Sequence, residues 1–130
     1  NQSYMVVRFK VQVDEDVMDT IMTEMSIYGI REGKADSLIY NAQSANKVNL
    51  PLDPNKNQSR FVFSDELEQD TLTLMHSSEV YLINYTCGFG SRFNLNETST
   101  GGSWMKKLDI IDSNVDAEEQ SDDEHLWIYF

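Results

Sequence analysis

Apolar and polar residues alternate with a period of two over most of this chain. Between residues 4 and 13, Met5, Val7, Phe9, Val11 and Val13 share one face while Arg8, Lys10 and Gln12 take the other, the pattern of a half-buried strand. Residues 21–30 fit two periods. Ile21, Met25 and Ile27 alternate, whereas Val17, Ile21 and Met25 form a helical stripe that Asp14 or Asp16 could cap. A strand ending at Gly29 is the better reading, because its neighbours alternate and Ile27 and Tyr28 favour extended backbone.

The same reading continues to the end of the chain. Ser37 to Asn41 is a short strand, and Val48, Leu50 and Leu52 form another, at an edge because Pro51 has no N–H for a ladder bond. Phe61 and Phe63 oppose Arg60 and Val62. Leu72 and Leu74 alternate with Thr71 and Thr73, and Tyr81, Ile83 and Tyr85 oppose Val80 and Leu82. Asp53 to Asn57 is a hairpin turn by composition, Gly88 and Gly90 mark a bulge or sharp corner, and Thr100 to Ser103 carries a hairpin-turn signal. Leu108 and Ile110 resume the alternation. At the end Leu126, Ile128 and Phe130 lie opposite Trp127 and Tyr129. Strands are expected near residues 4–13, 59–64, 70–75, 79–87 and 125–130, among about nine or ten in all. This spacing predicts an all-β fold, an antiparallel β-sandwich of immunoglobulin-like or prealbumin-like type, in a single domain over residues 1–130.

Charge narrows the partners. The net charge is −12, and eight acids with no Lys or Arg lie between Asp109 and Phe130. Such a surface repels phosphate backbones, so nucleic acid is excluded as an expected partner. No apolar run approaches the roughly 18 to 20 residues that span a bilayer. The chain opens on Asn1 without an initiator Met, from which a removed leader is expected. Cys87 is the one cysteine, either a buried small hydrophobe or half of a bridge to an upstream partner.

Few residues propose chemistry. The acidic cluster Asp112, Asp116, Glu118, Glu119, Asp122, Asp123 and Glu124 is the metal candidate, since calcium takes about six to eight oxygen ligands. Its plainer reading is a solvated loop. Asp53, Asn55 and Asn57 have the one-three-five spacing of a calcium loop, but Gln58 and Ser64 stand where Gly and Glu belong. His76 and His125 are too isolated for a zinc site and are expected at strand ends. No spacing supports a catalytic triad or a phosphate loop, so neither catalytic residues nor a cofactor are expected. The sequons at Asn1, Asn57, Asn84 and Asn96 fit chance in a Ser- and Thr-rich chain. Of the aromatics Trp104, Trp127, Tyr129 and Phe130, any that point outward would make an adhesive surface.

The segments DTIMTEMSIYGI, DSLIY, VNLPLDPNKNQSRFVFSDE, DTLTLMHSS, YTCGFGSRFNL and EHLWIYF, spread from Asp19 to Phe130, resemble an uncharacterised lipoprotein family of Bacteroidota. The resemblance implies a β-rich fold and export through a lipobox cysteine upstream of Asn1. It therefore implies the bacterial envelope, periplasm or outer-membrane surface, with membrane contact only through the lipid anchor. It supplies no activity to carry over. The leading expectation is a non-catalytic envelope protein that binds a protein or glycan partner or stabilises an assembly, with its oligomeric state left open. A calcium-dependent binding module using residues 112–124 is second, and a glycan or peptide hydrolase third.

Overall fold

The computed structural model describes residues 3–86, 88–116 and 123–130. Among the described residues there is no helix, and the strands are β1 (Tyr4–Val13), β2 (Asp16–Asp19), β3 (Met22–Gly29), β4 (Ser37–Ala45), β5 (Lys47–Pro51), β6 (Gln58–Ser64), β7 (Gln69–Asn84), β8 (Gly88–Thr100), β9 (Lys107–Ile110), β10 (Asn114–Asp116) and β11 (Leu126–Tyr129). They form two sheets. One runs β2–β1–β11–β9, with β5 added beside β1, and the other runs β10–β8–β7–β6–β3–β4. The all-β sandwich is therefore present, with β2 and β10 as short strands that the sequence pattern does not announce.

The core lies between the sheets and is filled by the alternating positions. Met5, Val7, Phe9, Leu50, Leu126 and Ile128 enter from the smaller sheet, and Met25, Ile27, Phe63, Leu72, Leu74 and Phe93 from the larger one. Phe9 meets Phe63 edge-on across the gap, with ring centroids 6.2 Å apart, and meets Phe130 at 5.6 Å. Phe9 also ties three segments by its backbone. Its N–H donates to the Asn46 carbonyl at 3.0 Å, and its carbonyl accepts from Thr20 at 3.1 Å. Strand β5, with Pro51, occupies an edge as its proline requires, pairing only with β1 among the described residues.

Several local expectations are corrected. The pairing is antiparallel except between β1 and β11, which run parallel with Val7 opposite Leu126 and Phe9 opposite Ile128. Residues 70–75 and 79–87 are not two strands: β7 runs unbroken through His76, Ser77 and Ser78, with a register irregularity against β8 at Met75/His76. The corner after β7 is a tight hairpin in which Gly88 takes φ +77°, the left-handed region that suits glycine. The Gly101–Gly102 segment, by contrast, is not a hairpin, since β8 and β9 belong to different sheets and residues 101–106 carry the chain across the sandwich. Asp53 to Asn57 likewise crosses between sheets, from β5 to β6, its turn held by the Asn55 N–H donating to Asp53 Oδ1 at 2.9 Å. Buried Leu52 and Met105 plug the core from these two crossings.

The second crossing has a polar lock. Buried Asp70 accepts from Thr71 N–H and Gly102 N–H at Oδ1, both at 2.8 Å, and from Met105 N–H at Oδ2, at 3.0 Å. A Cβ on Gly102 would stand 3.2 Å from that Oδ1, so close approach, not turn geometry, favours glycine here.

Candidate functional site

The acidic stretch is built into the sandwich where it is described. Asp112 Oδ1 accepts the Asn114 N–H at 3.0 Å and so turns the chain into β10. Asp116, in β10, accepts the Tyr81 hydroxyl and lies 3.6 Å from Arg92 Nε, while the Arg92 guanidinium stacks 4.0 Å over the Tyr81 ring. Glu124 accepts from Arg8 at 2.7 and 2.8 Å and from the Trp127 indole N–H at 2.8 Å. Burial opposes ionisation of Glu124, but the Trp127 and Arg8 donors and the charges of Arg8 and Lys10 outweigh it and hold this carboxyl below its ordinary range. Glu118, Glu119 and Asp122 lie outside the described residues, as does Cys87. Asp123 is half-buried. Among the described residues no group of three or more His, Cys, Asp or Glu is placed to hold a metal ion.

Calcium remains directly testable. Because Arg8 and Arg92 already neutralise Glu124 and Asp116, millimolar calcium is expected to shift the melting temperature no more than magnesium at equal ionic strength. A calcium-specific rise of several degrees, lost in Asp122→Asn with Asp123→Asn, is the contrary result.

The outer face of the smaller sheet is a cation–aromatic ladder. Lys10 Nζ sits 4.0 Å over the Trp127 ring and 2.5 Å from Asp19 Oδ1, and Lys107 Nζ sits 5.0 Å over Tyr129. Trp127 and Tyr129 thus face away from Leu126 and Ile128, as the alternation requires. Burial, aided by the hydrogen bond to Asp109 at 2.8 Å and its charge, pushes the Tyr129 phenol up to about 12. These groups satisfy one another, which makes this face structural.

The two histidines part company. His125 immediately precedes β11, as expected of a strand-end residue. Its Nδ1 accepts the Val6 N–H at 2.8 Å and its own N–H donates to the Val6 carbonyl at 2.9 Å. His76 is instead buried in the middle of β7, because the alternation that buries Leu72 and Leu74 carries it inward against Phe93, ring to ring at 5.4 Å. Its Nε2 is 2.8 Å from Ser59 Oγ, its Nδ1 has no protein partner, and burial lowers its pKa against the opposing charge of Asp53.

Two surface features were not legible in the sequence. The first is a pair of adjoining clefts, about 690 and 440 Å³, between the Ile30–Ser37 connection and the Asp53–Asn57 crossing. Their shared walls are Ile30, Glu32, Pro54, Lys56, Gln58 and Arg60, with His76, Ser77 and Ser78 closing the larger one. The second is the ribbon formed by the outer ends of β7 and β8. Pairing of Val80 with Ser91 and of Leu82 with Phe89 places these side chains on the face that carries His76 and Phe93 into the core. Past His76 that face is uncovered: Val80, Leu82 and Phe89 are 65, 45 and 66% exposed. The recorded pairing of β6 with β7 ends at Met75, one residue before the Asn57 carbonyl takes the His76 N–H. One carboxylate pair is present as well, Glu24 with Glu66, whose hydrogen bond and mutual repulsion raise the Glu66 pKa, but it lies on open surface.

The chain is thus an all-β sandwich that carries a basic-rimmed polar cleft and an uncovered apolar ribbon. Residues 24–130 match the model of a family of unknown function, DUF6452, and the chain belongs to that family. No curated protein and no solved structure is significantly similar to it.

Proposed function

We propose that this chain is a non-catalytic binding domain of the bacterial envelope, held there by a lipid anchor upstream of residue 1, and that its partner is a protein. The compartment rests on the sequence resemblance. The binding role rests on the β7–β8 ribbon, where an apolar face adjoins the strand edge beyond Met75. A strand edge that no neighbouring strand covers, beside apolar side chains, is what an extended polypeptide segment needs to add as a further strand. The expected occupant is therefore an extended segment of another protein, bonded to β7 and covering Leu82.

A photo-crosslinking residue tests this in cells that make the protein. Placed at Leu82 or Phe89 it is expected to give one discrete adduct, absent from position Leu67, which is equally apolar and 91% exposed. Leu82→Asp should abolish the Phe89 adduct without moving the melting temperature by more than about 2 °C, since exposed positions contribute little to stability. The same adducts from Leu67, or none from either ribbon position, would count against the proposal.

A further inference from the structure

We infer that the cleft between the Ile30–Ser37 connection and the Asp53–Asn57 crossing is a binding site for a small anionic polyol, a hydroxylated molecule bearing one carboxylate or phosphate group. The charge distribution carries the argument. Arg31, Lys34, Lys56 and Arg60 line the two adjoining hollows against only Glu32 and Asp53, a local excess of two positive charges in a chain whose net charge is −12. Of the six bases elsewhere, Arg8, Lys10, Arg92 and Lys107 each hold a carboxylate, and Lys47 and Lys106 stand apart from the cleft. Around the cleft Lys56 is paired, 3.1 Å from Glu32, and Arg31 Nε donates to the Ala35 carbonyl at 2.9 Å. No carboxylate among the described residues pairs with the head groups of Arg60 and Lys34, which leaves two cations with open coordination at one rim.

The bed of the cleft selects within the class of anions. Its wall is Asn55, Asn57, Gln58, Ser77 and Ser78, groups that both donate and accept hydrogen bonds. His76, a buried residue with Nε2 engaged by Ser59 and Nδ1 unpartnered, closes the larger hollow. No Phe, Tyr or Trp lines the larger hollow, so the stacking platform that a neutral sugar ring uses is missing, whereas guanidinium and ammonium groups beside hydroxyls suit a carboxylate or phosphate carried on a polyol. The volume falls within the range of small-molecule sites, roughly 300–1,000 Å³. A polyanion would have to approach the strongly acidic remainder of the surface, whereas a small anion meets only the local field.

Isothermal titration of the intact chain with glucuronate and with glucose 6-phosphate separates the two anionic groups. At least one is expected to bind saturably with Kd below about 1 mM, and Arg60→Gln to weaken it by about tenfold or more. Lys106→Gln, an exposed base outside the cleft, should leave the affinity unchanged. Ring nitrogen resonances supply a second reading, because those of His76 should move on titration while those of His125, whose Nδ1 is occupied by Val6, stay fixed. Equal binding of glucose, equal binding of a short oligonucleotide, or no saturable binding of either anion at 10 mM, a concentration roughly tenfold above that Kd, would each overturn the assignment.

Discussion

Deleting residues 125–130 is expected to abolish cooperative unfolding, leaving a chain without a melting transition by near- and far-ultraviolet circular dichroism. Strand β11 lies between β1 and β9 and is the pairing partner of both, so its loss splits the smaller sheet. Leu126 and Ile128 are fully buried, and each contributes about 1.5–3 kcal/mol of burial. Phe130 packs edge-on against Phe9 and tilted, at 4.9 Å, against Trp104, and His125 is bonded to Val6 through its Nδ1 and its N–H and to Ile111 through its carbonyl. Against a typical total stability of about 5–15 kcal/mol, these combined losses leave nothing for the remaining strands to fold on. A milder lesion calibrates the claim: Ile128→Ala should cost about 2–5 kcal/mol yet keep a cooperative transition. A truncated chain that melts cooperatively near the intact one would show that β11 is an accessory strand.

How much of this was legible in the sequence depends on the range of the interaction. Strands β1, β3 and β6 follow from alternation, because which residues face the core is decided by nearest neighbours along one strand. Their bounds, including the end of β3 at Gly29, fall where the pattern places them. Pairing direction and sheet membership are decided elsewhere. Nothing local distinguishes a parallel β11 from an antiparallel one, because the choice depends on the route by which the chain returns to β1. His76, Ser77 and Ser78 read as a break since they are polar, yet β8 supplies a continuous ladder that holds them in β7.

The surface was less legible still. Lys56 sits in a segment that reads as a turn, Arg31 and Lys34 lie in the polar run between β3 and β4, and only the crossing topology brings both segments to one cleft with Arg60. The acidic stretch shows the reverse effect. It has no Lys or Arg of its own, but β1 and β8 bring Arg8 and Arg92 to Glu124 and Asp116. A local charge count therefore overstated its repulsion.

Replacing Asp70 by alanine is expected to lower stability by about 3 kcal/mol, which for a chain of this size is a fall of roughly 10 °C in melting temperature. The carboxylate is buried and accepts three backbone N–H groups, of which Gly102 and Met105 belong to the crossing from β8 to β9. Removing it leaves those donors with no partner in a segment that also plugs the core with Met105. Asp70→Asn should fall between, because it keeps one oxygen acceptor but turns an NH2 toward an N–H. Gly102→Ala tests the same lock from the other side, since its Cβ would come within 3.2 Å of Asp70 Oδ1 and 3.4 Å of its Cγ. Each single variant should destabilise, but the double variant should lose less than their sum, because alanine at 70 removes the atoms that the Gly102 substituent would strike. Urea denaturation of the four proteins measures this coupling. Strict additivity, or an Asp70→Ala protein melting within about 2 °C of the parent, would mean that the crossing is held by its apolar plug alone.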